Sequence, residues 1–237
     1  MRRYLQGTLD FACAVYAVIN ALSVTYALDL SGARKIFKET HDSLAGMPAL
    51  WADYTGNETD HYWLVRYMLR RWCSDGPYAL RMIQPFCDCL LPTDEDLHIA
   101  GAERYLPERE APDGPSSLAA AEKEAAGVWR ELERWLGSEA LAAVTQGRSG
   151  MLPRAALLRF HRFVPGLRKP VVSHWTAGKI LEQGVLQLHD ASSESSALLA
   201  LERNALVPSF HGRAMVRIVP ESLLLLEANN NATRQGH

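Results

Sequence analysis

The chain has 237 residues, 48% of them hydrophobic, with 25 Lys and Arg against 27 Asp and Glu and a net charge of −2. That length carries one large domain or two small ones around a sizeable core. A pI near 6.4 excludes the basic footprint of a nucleic-acid binder, and no run reaches the roughly 18 apolar residues of a membrane-spanning helix.

In chain order, residues 11–27 read as a helix with Phe11, Val15, Val18, Ile19 and Leu22 on one face and Asp10 as its N-cap. Arg2 and Arg3 ahead of it look like the charged start of a secretory leader. Gln6, Asp10 and Asn20 interrupt the apolar run, however, and cleavage near Ala27 would remove Cys13, so the stretch is read as part of the domain. Residues 31–43 read as a second helix capped by Ser31, and 59–73 as a third, rich in Tyr, Trp, Leu and Met. A strand is expected at 78–86. The segment 92–117 holds Pro92, Pro107, Pro112, Pro115 and many acids, and reads as a loop or insertion suited to substrate recognition. Residues 118–143 read as a helix with a break at Gly137-Ser138.

From about 155 the texture changes. Short strand-like runs at 157–164, 171–177, 185–189 and 214–219 are divided by Gly, Pro and Ser clusters, with a tight turn at Gln183-Gly184. Residues 223–226 suit a last strand or a short helix, and the tail from 228 is expected to fray. Helices followed by a mostly antiparallel sheet make an α+β chain. It is read as one domain, 1–237: a mainly helical part over 1–150, a sheet part over 151–227 and the tail over 228–237.

The chemistry-bearing residues lie at the two ends of this layout. Cys13 opens the first helix, where the dipole favours a thiolate. His174 opens a strand and can act as base. Asp190 ends the next strand and can fix the imidazole's tautomer. Gln6 can donate its amide to an oxyanion beside the Cys13 N–H. A strand, a turn and a return strand span the 16 residues between His174 and Asp190. His189 and His211 are rival bases, although His189 and Asp190, as strand neighbours, face opposite sides.

With these residues the chain resembles a papain-like cysteine peptidase, closest to the bacterial C39-like branch. The resemblance rests on Gln6-Gly7, Leu9-Asp10, Cys13, Tyr16-Ala17 and Asn20-Ala21 at the front, and on His174-Trp175 and Asp190-Ala191-Ser192 behind. It covers about the first 22 residues and about 171–193. The step from Cys13 to His174 is 174 − 13 = 161 residues, near the roughly 130–150 of papain-like enzymes. The branch usually carries Gly after the nucleophile; here it is Ala14. The resemblance implies a nucleophile helix packed on a sheet that carries His and Asp, and a Cys13-His174-Asp190 triad with Gln6 in the oxyanion hole. Trp175, after the histidine, is expected either at the substrate or shielding the histidine and packed below it in the core.

The expected activity is hydrolysis of a peptide or isopeptide bond through an acyl-enzyme. The alternatives are acyl transfer, deamidation or transglutaminase-type chemistry on the same fold, or an inactive binding module. Four cysteines (13, 73, 87, 89) do not make a disulfide framework in a chain this long, which suits a reducing cytoplasm. Cys87-Asp88-Cys89 has one residue between its thiols where a zinc pair wants two to four, so no metal or cofactor is expected. The expected partner is a peptide or protein, with no nucleic acid and no membrane.

Overall fold

The run Ala155 to Phe160, apolar except at Arg159, has no period, and it marks the strand at the centre of the molecule. Here, in the computed structural model, β2 (Arg154–Phe163) is buried from Ala155 to His161. The described residues are 12–56, 61–88, 91, 95, 118–137, 152–163, 170, 172–189, 200–206 and 215–229. Ala155 and Leu157 point into one core, while Ala156, Leu158 and Phe160 point into another. With both faces covered, alternation has no polar side to show. Each large side chain so buried contributes about 1.5–3 kcal/mol.

The first core is helical. Helix α1 (Cys13–Tyr26) is buried on nearly every side after its first turn, and its N-cap position is Ala12. Asp10, expected there, lies outside the described residues. Helix α2 (Leu30–Ala45) starts one residue before the expected Ser31. Asp29 is its cap and accepts from the Gly32 N–H at 2.7 Å. Helix α3 (Pro48–Gly56), which the pattern did not suggest, follows at once. Helix α4 (Tyr62–Leu69) is buried all round and widens into a π-helical turn, Arg70–Ser74. The Trp63 indole donates to Asp53 at 3.1 Å, tying α4 to α3. His41 of α2 meets the Tyr54 hydroxyl at 3.1 Å, tying α2 to α3.

The sheet is antiparallel throughout its named strands, in the order β1-β7-β2-β3-β4-β5 with β6 also on β2. Its strands are β1 (Leu80–Ile83), β3 (Val172–Glu182), β4 (Val185–His189), β5 (Ala200–Glu202), β6 (Met215–Ile218) and β7 (Leu224–Ala228). Residues 223–226 therefore resolve to a strand. Gln183 and Gly184 both take positive φ (51° and 77°), the tight hairpin turn expected between β3 and β4. Strands β6 and β7 share one edge of β2 and are split by a short turn, Pro220–Ser222. Ser222 Oγ fills the gap by accepting from the Arg159 N–H at 2.8 Å.

Helix α5 (Leu118–Leu136) lies on the opposite face from α1, with Val128, Trp129, Leu132, Trp135 and Leu136 in the second core. A bidentate ion pair from Arg217 of β6 to Glu124 fastens it. The molecule is thus a mixed α+β structure, with helices on both faces of an antiparallel sheet. Among the described residues no helix is long and apolar enough to cross a membrane.

Candidate active site

Cys13 is the first residue of α1, and Ala12 stands at its N-cap position. The N–H groups of the first turn are the positive end of the helix, so charge on the Cys13 sulfur is favoured there. The residue is half-buried.

Strand β3 brings the partners. It pairs with β2 over residues 172–178, but its pairing with β4 begins only at Ala177. Among the described residues, 172–176 therefore have no strand on that side. The Trp175 backbone N–H donates to the Cys13 sulfur, and the His174 ring hydrogen-bonds it. The His174 ring also stands edge-on to Phe160, with centroids 5.7 Å apart and planes at 69°.

A third group touches the sulfur: the side chain of His61 hydrogen-bonds Cys13. His61 is buried and sits just ahead of α4 with φ 51°. Nothing in the sequence singled it out. The one available signal was its place directly before the aromatic run Tyr62-Trp63.

The balance on the thiol is lopsided. Burial alone pushes its pKa up. The hydrogen bonds from His174 and His61, the charge of His174 and the Trp175 N–H outweigh burial and bring it down to about 6. Cys73 is the counterexample: burial with no compensating donor pushes its thiol far up. Of the two free cysteines among the described residues, Cys13 is the one whose pKa is brought below neutral.

A buried stack holds the two histidines in place. Tyr62, next to His61, meets Trp175, next to His174, edge-on at 5.2 Å. The guanidinium groups of Arg66 and Arg159 cover the Tyr62 ring at 5.4 and 5.2 Å. Arg159 also donates to Ser173 Oγ at 2.8 Å, pinning the start of β3.

Trp175 is only 2% exposed and its ring packs against Tyr62, while its backbone N–H faces the Cys13 sulfur. One expectation needs correction. Cys87 is disulfide-bonded, which the reading of the cysteines as reduced did not anticipate. A sulfur in a disulfide is also no thiolate ligand for zinc, and among the described residues no cluster could hold a metal ion.

Gln6, Asp190 and His211 lie outside the described residues, as does the 92–117 segment apart from Glu95. His189 is buried, pairs with Ala177 and is not among the groups acting on the Cys13 thiol. No protein-family model, curated protein or solved structure matches the chain.

Proposed function

We propose that the chain is a thiol hydrolase of papain-like fold that cleaves a peptide or isopeptide bond. The observation that carries the reading is the Cys13 sulfur itself: first in its helix, hydrogen-bonded by His174 and by the Trp175 N–H, with a thiol pKa of about 6. A neutral thiol is a weak nucleophile, and an imidazole partner at a helix N-terminus is the physical remedy.

The Cys13 thiolate attacks the amide carbonyl, forming an S–C bond and moving the carbonyl electron pair onto oxygen. The Cys13 N–H, in the first turn of α1, is the donor that would receive that charge. His174 gives its proton to the leaving nitrogen as the C–N bond breaks. Water then attacks the thioester, His174 takes its proton, and the C–S bond breaks to return the thiolate. Gln6 as a second oxyanion donor and Asp190 as the group orienting His174 keep the roles proposed for them from the sequence.

Digestion of a peptide library, with mass spectrometry of the products, tests this. Cys13→Ala and His174→Ala should each lose cleavage, while Cys73→Ala combined with Cys87→Ala and Cys89→Ala should keep it. Cleavage by Cys13→Ala at the wild-type rate would end the proposal.

A further inference from the structure

Helix α1 reaches the surface at two places before its end. From Cys13 to Thr25 every residue is buried except Cys13 and Tyr16, which are half-buried. Three positions apart on a helix, the two side chains share a face, with Cβ atoms about 5–6 Å from each other. A molecule that meets the Cys13 sulfur along this face also meets the Tyr16 ring.

Tyr16 is the first of a connected row of rings. It meets Phe37 of α2 with centroids 5.5 Å apart. Phe37 stacks on His41 at 4.1 Å, with planes 29° apart. His41 meets Trp51 and Tyr54 of α3 edge-on, at 6.1 and 5.5 Å. Tyr54 is buried, whereas Tyr16, Phe37, His41 and Trp51 are all half-buried. The core contact of α2 runs through Ala33, Ile36, Thr40 and Leu44, and Phe37 and His41 each stand one residue after a position of that stripe, at its margin. Single half-exposed apolar side chains are ordinary on a protein surface. A contiguous group from three helices that begins beside a nucleophile is not.

The row offers ring faces and edges. Its one imidazole has both nitrogens engaged within it: His41 Nδ1 donates to the Phe37 carbonyl at 2.8 Å, and Nε2 meets the Tyr54 hydroxyl at 3.1 Å. Neither nitrogen is left for a polar group of a ligand.

We propose that this row is the substrate-recognition surface of the site, and that its occupant is an aromatic or large apolar side chain of the peptide cleaved at Cys13. This rests on the reading of Cys13 as the nucleophile of a peptidase and narrows its substrate class. An extended peptide advances about 3.3 Å per residue, so the roughly 5–6 Å from Cys13 to Tyr16 puts the recognised side chain within about two residues of the scissile bond. Burial of apolar area on both partners and ring-on-ring contact supply the preference. Tyr16 and Phe37 act on specificity: they touch the substrate's side chain and move no proton.

Two alkylating reagents test this without a known substrate. Iodoacetamide has no ring, whereas N-benzyl iodoacetamide carries a phenyl group a few bonds from the attacked carbon. Each is applied to the folded protein, with labelling mass-mapped to Cys13, and to free cysteine as reference. The ratio of benzyl to plain rates at Cys13, divided by the same ratio for free cysteine, should be at least about tenfold in wild type, the low end of what an apolar subsite discriminates. It should fall toward one in Tyr16→Ala and in Phe37→Ala, changes that suit a helix. A wild-type ratio of one overturns the proposal. So do variants that keep the wild-type ratio, including any that slow both reagents alike, since the ring is then only packing. Should neither variant fold, a peptide-library digest by wild type decides. Its cleavage sites should share an aromatic or large apolar residue at one fixed position within two residues of the bond, and sites with no such position overturn the proposal. Loss of the preference with Cys13 still reactive ends this proposal alone; a Cys13 that neither reagent labels ends the peptidase reading and this proposal with it.

Discussion

At the scale of single residues, charge placement makes two claims on stability. The Cys13 thiol is lowered from 9.0 to about 6 in the folded state. Between these values the unfolded chain binds a proton that the folded chain does not, so folding stability rises with pH over that window. The contribution is fully present above about 9 and is lost as pH falls through about 6. Cys13→Ala should therefore flatten the dependence of the urea midpoint on pH between those limits. The second claim concerns Arg66, which is fully buried, with carbonyl oxygens at 3.4 Å, the Cys87 sulfur and the Tyr62 ring as its neighbours. Burial pulls its pKa down to about 10, so it is still charged at neutral pH. No carboxylate pairs with it among the described residues, and a buried cation in that position costs the fold. Arg66→Met should leave the melting temperature unchanged or raise it, and a fall of several degrees would show the guanidinium to be a net stabiliser. Cys13 and His174 were readable because a thiol at a helix start and a histidine at a strand start are recognisable settings. His61 was not readable, because its approach to Cys13 depends on how α1 and α4 pack, and a left-handed histidine has no local signature.

At the scale of elements, each helix or strand that frames the site has an identifiable fastening. Asp29 caps α2 through the Gly32 N–H, and Asp29→Ala should cost about 1 kcal/mol in denaturant unfolding while leaving alkylation of Cys13 unchanged. The Trp135 indole N–H of α5 is shared between the carbonyls of Ala155 and Leu226 on β2 and β7, at 3.1 and 3.3 Å. Trp135→Phe removes that donor and part of the packing, and about 1–3 kcal/mol of stability should go with it; a loss near zero would mean that strand pairing alone holds those carbonyls. Elements with one wet face were legible: α2 buries Ala33, Ile36, Thr40 and Leu44 at helical spacing, and the β3–β4 hairpin showed itself at Gln183-Gly184. Strands buried on both faces, or very short, were harder to place. β2 begins at Arg154 rather than 157 because Ala155 and Ala156 carry no periodic signal, and the three residues of β5 gave no pattern to find.

At the scale of the whole molecule, the sheet separates two cores, and the site sits where the first of them meets the start of β3. The order of helices and strands was open to sequence reasoning, because apolar period and turn residues are local. Which face α5 would take was not, because its apolar stripe fits either side of a sheet whose central strand is apolar on both. The Tyr62–Trp175 contact joins the halves of the site across 113 residues of chain (175 − 62). Tyr62→Ala should therefore lower Cys13 reactivity as well as stability, although Tyr62 is not among the groups acting on the sulfur. The central claim is that the fold makes Cys13, and not Cys73, a thiolate near neutral pH. Its most direct test is mass-mapped iodoacetamide labelling of the folded protein across a pH series, for wild type and His174→Ala. Cys13 should label with an apparent pKa of about 6 while Cys73 stays unlabelled, and His174→Ala should label Cys13 at least about tenfold more slowly at neutral pH, one pKa unit or more. Equal labelling of Cys13 and Cys73, or a Cys13 rate indifferent to loss of His174, would contradict it.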